Sequence, residues 1–314
     1  MPKNLNQMEM FPKKVRERTL VGRVLHLGAG VQSSALLEMV IEGELPRVDL
    51  VLFADTGNEP EWVYAQVKYL EKRCIAAGIP FSIVKKPGLG LVENTLYGDG
   101  LWAAMPLFTL NADGRVGRLK RQCTNEYKIE PCDDEIRDWL VEMKHAAVDK
   151  KGVRRVKPSV YVENLYGISA DEMYRAGKRG PGWQKAVYPL IDREMTRTDC
   201  ETWLKEHGLP VPLKSSCKIC PYHDNVYWGW LQTHQPEVFA EVCDYDDWLR
   251  SPEAKKRIPT LQQDCYLHES CVPLREIDFK NPPGRKRKIE VSHLQMEILF
   301  ADRCGGDGGF SCFS

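Results

Sequence analysis

Two cysteines stand three positions apart in "CKICPYH", at Cys217 and Cys220. Thiolates at that spacing can grip one metal ion or one corner of an iron–sulfur cluster. The residues leave the identity open between zinc, with His223 or Cys243 completing four ligands, a cluster, and a redox dithiol. No thioredoxin-like strand–helix–strand pattern leads into the pair, which favours metal over redox. A further thiol, Cys123, lies in "GRLKRQCTNEYKIEP" among Arg118, Lys120, Arg121 and Lys128. A basic run is ordinarily a solvated face, but cations around a thiol favour its thiolate. The end of the chain, "ADRCGGDGGFSCFS", adds Cys304 and Cys312 in a glycine-rich setting that packs no core and could swing a thiol between two positions. Cys74, Cys132 and Cys200 fall on helical patterns and read as packing residues. Cys265 and Cys271 flank "YLHES" as weaker reserves, and His268 between them reads as a core or turn histidine.

A second kind of chemistry is written in "LHLGAGVQSS", residues 25–34, where an apolar strand runs into a glycine turn and then hydroxyl residues. A Walker loop would carry a Lys after its last glycine, and a dinucleotide fingerprint a third glycine where Ser33 and Ser34 stand. What remains is a strand-to-helix turn whose free N–H groups and hydroxyls suit an anion. Gly28, Gly30, Gln32, Ser33 and Ser34 are its candidate phosphate contacts. Asp55, in "FADTGNEP", either touches a nucleotide sugar or a metal-bound water, or forms an Asx turn before Gly57.

Positioning these loops requires a sheet. "RVLHLGAG" (23–30), "VDLVLFADTG" (48–57) and "PFSIVKK" (80–86) read as strands, separated by helical patterns over 33–43 and 59–78. Strand, helix, strand at this spacing means right-handed βαβ units and a parallel sheet. Ligands of such sheets sit beyond the carboxyl ends of the strands, where both loops fall. Further strands are expected at 159–172 and 185–191, with helices over 130–143 and 195–208, the last capped by Thr196 or Thr198. Residues 87–122 read as an irregular cap. The aromatic stretch 222–234 reads as a core helix with Val226, Trp230 and Thr233 on one face. Composition shifts toward Cys, Trp, Tyr and His near residue 214. The expected division is a polar arm over 1–20, a nucleotide-binding α/β domain over 21–214, and a smaller, mainly helical, Cys-rich region over 215–314.

The blocks "LGAGVQSS", "FADTGNEP", "RQCTNEYKIEP", "GISADE", "YPLI", "CKICPYH" and "YLHESCVPL", in this order, resemble the phosphoadenosine-phosphosulfate-reductase-like branch of the PP-loop ATP pyrophosphatases. The resemblance runs from about residue 20 to 314. It implies a Rossmann-like parallel sheet with helices on both faces, and chemistry at the α-phosphate of ATP or recognition of an adenylyl-sulfate. It implies ATP and Mg²⁺, with Arg121 and Lys128 binding anions and Asp171 and Glu172 contacting Mg²⁺ or ribose. It also implies a [4Fe–4S] cluster on Cys123, Cys217 and Cys220, with Cys304 as fourth ligand. Alternatively one iron stays open, and Cys304 or Cys312 carries sulfur as a persulfide. The loop departs from the Ser-Gly-Gly-x-Asp-Ser signature: Gly28 replaces the first Ser, Ala29 the first Gly and Gln32 the Asp, which weakens an Mg²⁺ contact from it. Ser169 stands where reductases often carry a basic residue.

Bulk composition bounds the rest. The chain has 314 residues, 44 basic against 44 acidic, and 11 cysteines. Zero net charge gives no overall field for nucleic acid or anionic membrane. No run is long and apolar enough for a span, and the N-terminus reads as a polar arm, not a signal peptide. Cysteines without an export signal point to metal or thiol chemistry in the cytoplasm. Three functions follow: an ATP-dependent adenylating enzyme that puts sulfur on a nucleobase or similar acceptor, an adenylyl-sulfate reductase, or a non-catalytic nucleotide-binding subunit of a nucleic-acid modification or defence complex. The partners expected are an adenine nucleotide, a sulfur donor or sulfurtransferase, and a nucleic-acid substrate, with a homodimer left open.

Overall fold

The computed structural model describes residues 17–98, 104–111, 113–177, 180–258 and 263–281. In chain order these form β1 (Thr19–Leu27), α1 (Val31–Ile41), β2 (Leu50–Asp55), α2 (Glu61–Ala76), β3 (Phe81–Lys85) and α3 (Leu91–Tyr97). A hairpin of β4 (Phe108–Leu110) and β5 (Val116–Arg118) precedes a π-helical turn (Asn125–Ile129) that runs into α4 (Glu130–Glu142). The hairpin β6 (Ala146–Val148) and β7 (Arg154–Val156) leads to β8 (Val160–Tyr166), a 3₁₀ turn (Ala170–Arg175), β9 (Gln184–Val187), α5 (Pro189–Asp192) and α6 (Arg197–Glu206). Last come α7 (Asn225–His234), α8 (Pro236–Trp248), α9 (Pro252–Arg257) and β10 (Cys265–Tyr266).

The main sheet is parallel, in the order β3-β2-β1-β8-β9. All six residues of β2 are buried, as a strand covered on both faces must be. Alternate side chains divide between two cores. Leu25, Leu27, Val51 and Phe53 meet α1, α2 and α6 through Leu36, Val67 and Leu204. Val24, Leu50 and Leu52 meet Ile136 and Leu140 of α4 on the other face. The result is the Rossmann-like α/β layering expected from the sequence. Because the chain winds outward on either side of β1, the strand order reverses between β1 and β8. That is the switch point where such sheets bind ligands. Among the described residues no helix is long and apolar enough to cross a membrane.

A third core gathers Trp228, Leu231, Val242 and Leu267, and it also takes Leu91, Met105, Leu107 and Tyr127 from before residue 214. The segment expected to be an irregular cap therefore has structure. It contributes α3, and the β4–β5 hairpin pairs antiparallel with β10. Strands of two or three residues carry too little pattern to be read, and here a partner over a hundred positions away supplies the pairing. On α7 the buried residues are Tyr227, Trp228, Trp230 and Leu231. Thr233 is exposed, so the expected Val226–Trp230–Thr233 face is corrected.

Candidate functional site

The turn after β1 is built for close approach. Ala29 takes a left-handed backbone (φ 54°), and Gly30 precedes α1 in an extended conformation. No side chain caps α1 and no acid lies in its first turn, so its N-terminal N–H groups are free to meet an anion. Two neighbours wall this end. A Cβ on Gly167, just after β8, would stand 2.7 Å from Ser33 Cα and 2.8 Å from Ser33 N. A Cβ on Gly30 would stand 2.7 Å from Ser215 Oγ, which brings the segment leading into the C-x-x-C against the loop.

The polar side chains of the loop mostly serve the loop itself. Ser33 Oγ accepts from Gly28 N and donates to Gly30 O, both at 3.2 Å. Ser34 Oγ accepts from Gln66 Nε2 at 3.3 Å, and Gln32 Nε2 donates to Ser169 Oγ at 3.4 Å. The hydroxyls are thus taken up within the loop, and the donors left over are backbone N–H groups at the start of α1. Asp55 is likewise committed. It pairs with Lys85 (2.7 Å) and accepts from Gly57 N (2.8 Å) and Tyr64 Oη (2.9 Å). Burial works to raise its pKa, but those three partners together hold it below the ordinary carboxylate value. This is the Asx-turn reading. Asp171 accepts from Arg197 N at 3.1 Å, and Glu172 pairs with Arg175, so neither carboxylate is engaged with the loop.

The residues that follow Asp55 carry the second half of the site. Asn58 fastens the C-x-x-C loop, accepting from Lys218 N on its carbonyl (2.9 Å) and from Ile219 N on Oδ1 (3.3 Å). Thr56 Oγ1 donates to Glu59 Oε1 (3.0 Å) and lies 3.3 Å from Cys217 Sγ. The Cys217 thiol donates toward Glu59 Oε1 at 3.5 Å, and Lys128 Nζ, from the π-helical turn, lies 3.6 Å from the same oxygen. Burial opposes the charge on Lys128, but Glu59 and then Cys217, Cys220 and Cys123 outweigh it and raise its pKa. The Lys128 ammonium, on a side chain still 43% exposed, thus pairs with Glu59, which the Cys217 thiol also meets. Burial, then Glu59, pushes the Cys217 thiol well above its ordinary value. Burial also raises Cys220, against the Tyr222 N–H and Arg121. Both thiols must lose a proton to ligate.

The other thiols and histidines sort as packing. Cys74, Cys132, Cys200, Cys243 and Cys265 are buried, each pushed up to about 12 chiefly by burial. His223 donates from Nε2 to Cys217 O (2.9 Å) and stacks on Tyr227, and burial depresses it to about 3. His268 is satisfied by Ser270 and Asn225, both at 2.7 Å, as the sequence suggested. Cys304 and Cys312 lie outside the described residues.

Donor spacing bears on which metal group fits. A tetrahedral zinc with Zn–S near 2.3 Å holds its sulfurs about 3.8 Å apart. Among the described residues, the three-donor set within 4.8 Å of one another is Glu42, Glu44 and His207, so the three thiols are spread wider than that. That spacing exceeds what one tetrahedral ion needs, and three thiols beside a cation are the kind of donor set an iron–sulfur cluster uses.

Sequence reading overlooked Thr56, Asn58, Glu59, Gly167 and Ser215. A run of polar residues directly after the buried strand β2 was the available signal for the first three.

No family model matches the chain, and no curated protein does. Among solved structures it is similar to the U34-tRNA thiolase NcsA from Methanococcus maripaludis with its [4Fe–4S] cluster. Identity is 13% over 79% of this chain and 72% of that one, with a TM-score of 0.32. A likeness at this level carries no argument about chemistry, which rests on the geometry above.

Proposed function

We propose that this chain is an ATP-consuming enzyme of the PP-loop kind that adenylates an oxygen of its acceptor and replaces it with sulfur. The observation that carries the reading is an uncapped helix N-terminus whose Gly30 lies against Ser215, two residues before a C-x-x-C whose Cys217 meets the Glu59–Lys128 pair. The N-terminus of α1 receives phosphate and offsets charge developing on the leaving pyrophosphate. Acceptor oxygen attacks the α-phosphorus, the α–β bond breaks, and pyrophosphate departs with the bonding pair. A sulfur nucleophile then adds at the activated carbon and AMP leaves with the oxygen.

Cys123, Cys217 and Cys220 would hold the cluster, which would supply iron to bind and activate the sulfur donor. Lys128 offsets the negative charge of the three thiolates, and Glu59 fixes the ammonium among them. Asn58 and Thr56 hold the loop that carries two of the ligands. Arg121, beside Cys220, adds a second cation for substrate phosphate. The test is the product: anaerobically prepared protein with ATP and candidate acceptors should release pyrophosphate and AMP. ADP and phosphate instead would refute the reading.

A further inference from the structure

At the end of the C-x-x-C loop stands Tyr222, 41% exposed although it directly follows the buried Pro221. The guanidinium carbons of Arg118 and Arg121 lie 5.3 and 5.1 Å from its ring centre. Both arginines and Lys120 are exposed. Among the described residues no carboxylate lies within ion-pair distance of any of the three, whereas Arg115, Arg154, Arg155, Arg175 and Arg275 each hold one. The chain is neutral overall, so this is a local excess of charge gathered on one aromatic ring. Tyr222 also stands two positions past Cys220.

We propose that Arg118, Lys120, Arg121 and Tyr222 bind an unpaired stretch of nucleic acid, phosphates on the cations and one base stacked on the tyrosine, next to Cys220. This deepens the function proposed above, on which it rests, by naming the acceptor's class. A small anion would be met by the cations alone and would have no use for an exposed ring. A polynucleotide supplies both halves, a charged backbone and a π-face, and single-strand sites combine these same two elements. The base must be unpaired, because a duplex buries the face that the tyrosine would meet and keeps its reactive atoms from a recessed thiol.

The test uses the full chain and fluorescein-labelled 12-nucleotide single strands of RNA and of DNA, and the corresponding duplex, followed by anisotropy against salt. At least one single strand should bind more tightly than the duplex, and its preference over the other assigns RNA or DNA as the source. Three phosphate contacts predict a slope of log affinity on log salt near −2, from about −0.7 per contact. Arg118→Ala should shrink that slope by about 0.7. Tyr222→Ala should weaken binding about 5- to 150-fold at an unchanged slope, with Tyr222→Phe restoring it. Absence of strand binding, preference for duplex, or wild-type binding by both alanine variants would overturn the proposal. Pyrophosphate release and iron content in the same preparations judge the parent reading separately. Their failure with strand binding intact faults the sulfur-transfer chemistry, and the reverse faults this surface.

Discussion

At the scale of single residues, the turn after β1 depends on backbone approach more than on the side chains that first draw the eye. Gly167 makes the point, since an added methyl would meet the backbone of Ser33 at 2.7–2.8 Å and neither partner can rotate away. Gly167→Ala should weaken ATP binding tenfold or more, roughly, and cost about 1–3 kcal/mol of stability. Gly177→Ala, where nothing lies within 4 Å, is the control expected to leave both near wild type. Calorimetric titration with ATP and denaturant melts check the pair. "GAGVQSS" was legible as a strand-to-helix turn because glycine follows an apolar run and hydroxyl residues open the next helical pattern. The partners that close it were not, because Gly167 and Ser215 come from segments far along the chain. Asp55 was legible as a choice between two roles, and the choice turned on Lys85 and Tyr64, which only the fold brings near.

At the scale of elements, the loop 214–223 is held to the sheet by Asn58 and sealed by His223. His223 is buried neutral with its pKa depressed to about 3, while the unfolded chain keeps a value near 6.5. Below pH 6.5 the unfolded state therefore binds a proton that the folded state refuses. Stability should fall by up to about 1.4 kcal/mol per pH unit from there toward 3, and be unaffected by this group above 6.5. Denaturant midpoints at pH 7, 6 and 5 measure the slope, which His223→Gln should reduce; an identical slope in the variant would remove His223 as its source. On α6 the cap was readable as a choice between Thr196 and Thr198; the structure makes it Thr196, in a capping box with Asp199, and Thr196→Ala should cost about 1 kcal/mol by thermal melts. The β4–β5–β10 sheet was not readable, because strands this short are made by their partners and not by their own pattern.

At the scale of the whole molecule, two substructures share one rim: a parallel sheet that presents an open helix end, and a third core that presents the C-x-x-C. The βαβ spacing gave away the first. The second mixes residues from before and after position 214, so composition along the chain could mark its cysteines but not its extent. Deletion after Phe300 removes Cys304 and Cys312. If either is the fourth ligand or the persulfide carrier, the truncated chain should keep its melting temperature and ATP binding while losing turnover. Full turnover would confine the chemistry to Cys123, Cys217 and Cys220.

The central claim is that these three thiols together hold a cluster beside the anion loop. Its most direct measurement is the metal content of protein purified without oxygen, by elemental analysis and Mössbauer spectroscopy. The account predicts about four irons per chain, with matching sulfide, lost in Cys123→Ser, Cys217→Ser and Cys220→Ser alike. One zinc per chain and no iron, or full iron retained when any of the three is replaced, would contradict it.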